Sequence, residues 1–114
     1  GSLGHSVMSS YSYTKGWRHR TTVKGNDPMV LEVSGSYMTL VFKQENNKAC
    51  GTAEVWVDGK LAATLPGYDS SAWGQPVTQL ISLGENTTHT VNILMAEADA
   101  GKLFNLLDMA VAGE

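Results

Sequence analysis

The 114-residue chain has a single cysteine, Cys50. One thiol excludes an intrachain disulfide and any zinc site built on cysteines. Charge is sparse at 17%, against a usual ~25% for globular domains, which excludes a charge-driven disordered tail. Basic residues are few: eight Lys+Arg face eleven Asp+Glu, for a formal charge of −3. Without a basic field, nucleic acid is a poor partner. No apolar run approaches the ~20 residues of a helical membrane span. Proline is scarce at three residues, whereas glycine reaches twelve, which fits a chain of many tight turns.

What is present is one domain's worth of sequence, with 42% hydrophobic residues to build a single core. Residues 1–6 read as a loose lead-in or an appended expression scar, with neither the basic start nor the apolar centre of a signal peptide. Residues 7–114 then form a single module.

Its apolar residues recur with period two between turn residues, which is the strand signature. Strands are expected over 11–14, 17–23, 29–33, 37–44, 51–57, 60–65, 77–83, 88–96 and 103–111, about nine in all. Gly25-Asn26-Asp27-Pro28, Ser34-Gly35-Ser36 and Gly84-Glu85-Asn86-Thr87 separate them as turns. Asp58-Gly59 lies between two β-rich runs and predicts a two-residue hairpin, since both central positions need φ > 0. The last strand is nearly all apolar and is expected at the centre of a sheet. Residues 96–107 are the one place where helix-forming residues collect, and Asp99 and Gly101 argue against a helix there. The expected fold is all-β, an antiparallel β-sandwich of jelly-roll type.

Catalytic chemistry is not visible. No Gly-x-Ser-x-Gly elbow occurs, and Ser34 and Ser36 flank a strand-to-strand turn. His5 lies in the lead-in, His19 sits between Arg18 and Arg20, and His89 reads as a strand residue with a hydrogen-bonded ring. Glu54, Asp58, Asp69 and Glu97 read as solvated carboxylates, not as the facing pair of a glycosidase. No His or Cys pair has metal-ligand spacing, so no cofactor is expected; a structural calcium held by carbonyls and Asp is not readable from sequence.

The aromatic residues are more informative. Phe42 and Phe104 lie among apolar neighbours and read as core. On the strand 51–57, Ala53, Val55 and Val57 point one way, while Glu54 and Trp56 point the other, which places Trp56 on the solvent face. Tyr68 and Trp73 fall in the polar loop 67–76, with Asp69, Ser70, Ser71 and Gln75 close by. Trp73 stands between Ala72 and Gly74, whose small side chains leave its faces accessible. Aromatic planes beside neutral and acidic polar groups suit sugar rings, whose C–H faces pack on the ring while hydroxyls bond to the polar groups. Trp73 and Tyr68, then Trp56 and Trp17, are the candidate platforms; Asp69 and Gln75 are the candidate hydroxyl partners.

Gly51-Thr52-Ala53-Glu54-Val55-Trp56-Val57-Asp58-Gly59-Lys60, then Trp73, then Thr88-His89-Thr90-Val91-Asn92-Ile93 occur in a recognisable order. Together they resemble the G-x-(A/V)-x-V-x-V-D-G-K … W … H-T-V-x-I pattern of small jelly-roll β-sandwiches in bacterial plant-cell-wall enzymes. Such domains precede the catalytic domain of SGNH-type carbohydrate esterases and are similar to carbohydrate-binding modules. The likeness covers roughly residues 29–111. It implies a secreted, non-catalytic module that binds a poly- or oligosaccharide such as a β-glucan or hemicellulose, beside the catalytic domain of a larger enzyme. The esterase nucleophile motif is absent, so no esterase activity carries over. An accessory sandwich that packs on a catalytic domain without binding glycan is the alternative.

Overall fold

A computed structural model describes residues 28–113. The elements in order are β1 (Met29–Gln44), β2 (Thr52–Val57), β3 (Lys60–Pro66), β4 (Gln75–Met95), a 3₁₀ turn (Glu97–Asp99) and β5 (Leu106–Ala112). All pairings are antiparallel, and the strand order is β3-β2-β4-β1-β5. The fold is an all-β sandwich, and no α-helix occurs among the described residues.

Five strands stand among the described residues where seven were expected in that part of the chain. The two expected breaks at Ser34-Gly35-Ser36 and Gly84-Glu85-Asn86-Thr87 do not end strands. In β1 the inward face is Met29, Leu31 and Val33 before the break, and Met38, Leu40 and Phe42 after it. The parity changes because the register slips between Gly35 and Tyr37; a bulge keeps the same face inward while the strand turns. Tyr37 pairs with Ser82 and Gly35 with Thr87, so β4 advances five positions (87 − 82) while β1 advances two (37 − 35). The long β1–β4 pair therefore serves two half-sheets. One comprises β3, β2, the C-terminal half of β4 and the N-terminal half of β1; the other comprises the remaining halves and β5. The expected strands at 11–14 and 17–23 lie outside the described residues.

Among the described residues the last strand is not central: β5 starts at Leu106, pairs there only with β1 and lies at the edge of the described sheet. Its apolar character reflects the burial of Leu106, Met109 and Val111 on one face, with a register slip that leaves Leu107 without a place in the alternation. Central positions belong to β4 and β1.

One continuous core links both half-sheets, with side chains from all five strands. Phe42 and Phe104 meet there as a stacked pair, centroids 5.5 Å apart, and both are 1% exposed. The hairpin forms as expected, with φ of 51° at Asp58 and 84° at Gly59.

Candidate functional site

The loops 45–51, 67–74 and 96–105 gather at one end of the sandwich, where β1 and β3 end and β2, β4 and β5 begin or finish. The middle loop carries Trp73. It begins at Gly67, where an added Cβ would lie 2.6 Å from the Gly51 carbonyl and 3.1 Å from Phe104, so only glycine lets the chain cross there. Asp69 then builds a turn: its Oδ1 accepts the Ser71 N–H at 2.8 Å and the Ser71 hydroxyl at 2.9 Å, and its carbonyl accepts the Ala72 N–H. The two bonds from Ser71, that of its backbone N–H first, hold the Asp69 carboxyl below its usual value and keep it anionic. Ala72 is buried and acts as the foot of the loop.

Trp73 comes next and is 78% exposed. Its backbone is not loose. The Trp73 N–H donates to Gln75 Oε1 at 2.8 Å, and Gln75 Nε2 donates to Gln44 Oε1 at 3.3 Å. Gln44 in turn donates to the Pro66 carbonyl at 3.0 Å and accepts the Gly74 N–H on its own carbonyl. Gly74, at φ 93°, turns the chain into β4, and a Cβ added there would meet Lys43 Cε at 3.4 Å. The Asp69 N–H donates to the Glu45 carbonyl at 3.1 Å, which ties Glu45 to Tyr68 as a parallel backbone bridge. The Glu45 carboxylate collects Asn105 at 3.2 Å and, more loosely, Lys43 at 3.8 Å.

The sequence-derived candidates fall in two places. Tyr68, Asp69, Trp73 and Gln75 share the loop end, with Trp73 exposed and Tyr68 and Asp69 half-buried. Gln75 has both ends of its amide engaged within the protein. Trp56 is elsewhere, on the outward face of β2, half-buried, its indole N–H donating to Glu54 Oε1 at 2.9 Å. Trp17 lies outside the described residues. Gln44, Lys43 and Glu45 escaped the sequence reading; only the return of the 67–74 loop against the end of β1 gives them a role, and no local pattern marks that.

His89 is buried, with Nδ1 at 2.6 Å from Asp58 Oδ2 and Nε2 at 2.6 Å from the Glu85 carbonyl. Enclosure makes it a structural pin in the middle of β4, not a solvent-facing base. Among the described residues no three His, Cys, Asp or Glu side chains gather as metal ligands, and no helix is long and apolar enough to cross a membrane.

No protein-family profile matches the chain, and no curated protein matches it. Solved structures do. A two-domain esterase active on acetylated mannans, co-crystallized with mannopentaose, superposes with TM-score 0.62 at 23% identity over 80% of this chain; the chain spans 27% of that protein. The CBM36-1 domain of a multidomain xylanase from the hindgut metagenome of Trinervitermes trinervoides superposes with TM-score 0.58 at 13% identity, covering 99% of this chain and 98% of that domain. A Paenibacillus sp. cycloisomaltooligosaccharide glucanotransferase, complexed with cycloisomaltoheptaose, gives TM-score 0.52 at 22% identity over 82% of this chain and 14% of its own length. The fold is that of a carbohydrate-binding-module-like β-sandwich, the kind that occurs as one part of larger carbohydrate-active enzymes.

Proposed function

We propose that the chain is a non-catalytic carbohydrate-binding module that brings a linked, secreted enzyme to plant cell-wall polysaccharide of the β-glucan or hemicellulose type. The observation that carries this reading is Trp73: a 78% exposed indole on a loop whose backbone is tied on both sides. An exposed large ring held by a rigid support is a preformed platform, because little ordering entropy remains to be lost on binding. Tyr68, in the same loop, is the second proposed contact, and the free oxygen of the anionic Asp69 is the hydroxyl acceptor. Gln75 serves the site through the Trp73 backbone. The full-length superposition on a carbohydrate-binding module supports the reading, as does the esterase whose corresponding part makes up about a quarter of the protein. The reading gives the module itself no catalytic role, in line with its full-length likeness to a carbohydrate-binding module.

A second reading has its own observation. Tyr37 and Leu80 stand exposed at 43% and 59% on the outward face of the other half-sheet, beside Thr39 and Ala110. That patch fits an accessory sandwich seated on a catalytic domain. Affinity electrophoresis in native gels containing β-glucan, xyloglucan, glucomannan, xylan or pectin separates the two. Retardation by one of the neutral polysaccharides is expected, and a chain retarded by none is the accessory domain.

A further inference from the structure

We infer that the outward face of the half-sheet β3-β2-β4-β1 is a second glycan-binding surface, on which an extended, uncharged polysaccharide lies across the strands over Leu61, Trp56, Asn92 and Val30. The inference rests on the carbohydrate-binding reading above and adds a surface distinct from the Trp73 loop.

Register places these four side chains in one row. Leu61 pairs with Trp56, Trp56 with Asn92, and Asn92 with Val30. Paired residues of adjacent strands share a face, so the row crosses all four strands. Three inter-strand steps make it roughly 14 Å long. Leu61 reaches this face through an irregularity: the register slips between Val55 and Trp56, pairing Val55 with Ala63 but Trp56 with Leu61. Without that slip Leu61 would share the inward face of Ala63 and Leu65. It is instead 50% exposed, and Val30 at the other end is 59% exposed.

Trp56 is fixed before any ligand arrives. Glu54, two residues away on the same face, holds the indole N–H at 2.9 Å. Asn92, the next position in the row, is half-buried and places a neutral amide between Trp56 and Val30. Apolar platforms at both ends, a fixed indole and one neutral hydrogen-bonding group suit sugar rings set side by side, with hydroxyls interspersed.

Charge selects among glycans. The neighbouring rows on this face pair Thr64 with Glu54 and Leu94, and Thr90 with Glu32. Glu54 and Glu32 are the charged side chains in these rows, and no Lys or Arg accompanies them. A polyuronate would meet two carboxylates and no cation, whereas a neutral chain meets no opposing charge. A polymer spanning this face and the Trp73 loop, or two chains held separately, gains avidity from the pair of sites.

The test is affinity electrophoresis with glucomannan, xylan and β-glucan, and with polygalacturonate as the charged probe, on the wild type, Trp56→Ala, Leu61→Ser, Trp73→Ala and the Trp56→Ala/Trp73→Ala double variant. Trp56→Ala is expected to weaken retardation by a neutral polysaccharide about tenfold. Leu61→Ser, at an exposed edge position, should weaken it several-fold, and gives the answer if Trp56→Ala does not fold. Trp73→Ala should keep a residual retardation that the double variant loses, and polygalacturonate should retard no form. Normal retardation of folded Trp56→Ala and Leu61→Ser overturns the second surface and leaves the Trp73 site standing. Retardation of the wild type by polygalacturonate overturns the charge argument. A wild type that no neutral polysaccharide retards overturns the inference together with the reading beneath it.

Discussion

His89 and Asp58 stand 2.6 Å apart, ring Nδ1 to carboxylate Oδ2, and tie the β2–β3 hairpin tip to the middle of β4. The other ring nitrogen lies 2.6 Å from the Glu85 carbonyl. Both neighbours are acceptors, so a ring that satisfies both must donate from both nitrogens, which is the imidazolium form. Asp58 is further held by the Thr90 N–H at 2.9 Å.

The pH dependence follows from this geometry. The bond to Asp58, then that to the Glu85 carbonyl, raises the His89 pKa above its ordinary 6.5, and the bond from His89, then that from Thr90, lowers the Asp58 pKa below 3.8. The His89 contribution is complete below 6.5 and is lost as pH rises through the raised value; the Asp58 contribution is complete above 3.8 and is lost as pH falls through the lowered one. Thermal midpoints should therefore form a plateau between these limits and decline on both sides. In His89→Gln the midpoint should be lower on the plateau and the alkaline decline should flatten. An unchanged alkaline slope in that variant would show that His89 is not the titrating group.

Trp73→Ala should weaken glycan binding about ten- to a hundredfold. Burying one aromatic face is worth on the order of 1–3 kcal/mol by the area scale, at about 1.4 kcal/mol per factor of ten. The melting temperature should stay put, because the ring contributes little to the core. Gln75→Ala should cost less, several-fold, since it frees the Trp73 backbone but keeps the ring. Equal losses in the two variants would mean that Gln75 touches the glycan itself.

Phe104→Ala should be severely destabilising, by about 3–5 kcal/mol, through lost burial and an unfilled cavity. Phe104 holds the 96–105 loop against Phe42 and lies under Gly67. Urea unfolding of the variant measures this directly, and a midpoint close to wild type would contradict the packing described.

Gly35→Ala is expected to cost about 1–3 kcal/mol as an overpacking change. The new methyl would stand 2.6 Å from the Ala112 carbonyl oxygen and 2.7 Å from Val111 Cγ1, and backbone cannot step aside cheaply. Hydrogen exchange should show faster exchange at the C-terminal end of β5, next to the bulge, than in its first residues.

Local pattern alone was enough for the all-β class, the Asp58-Gly59 hairpin, the inward set Ala53, Val55 and Val57, the core placement of Phe42 and Phe104, and an exposed Trp73. Each follows from side-chain alternation, from turn stereochemistry or from a ring among small polar neighbours. Tertiary structure decided the rest. Ser34-Gly35-Ser36 reads as a turn, yet pairing with β4 and the close approach of Ala112 make it a bulge within one strand. β5 reads as central from its apolar content, yet its place at the edge of the described sheet depends on which strand it pairs with, and composition does not encode pairing. Asp58 and His89 are 31 positions apart, and Gln44 and Gln75 are also 31 apart. Such contacts arise only when the chain returns on itself. The row from Leu61 to Val30 exists for the same reason: four side chains from four strands share a line only once register is fixed.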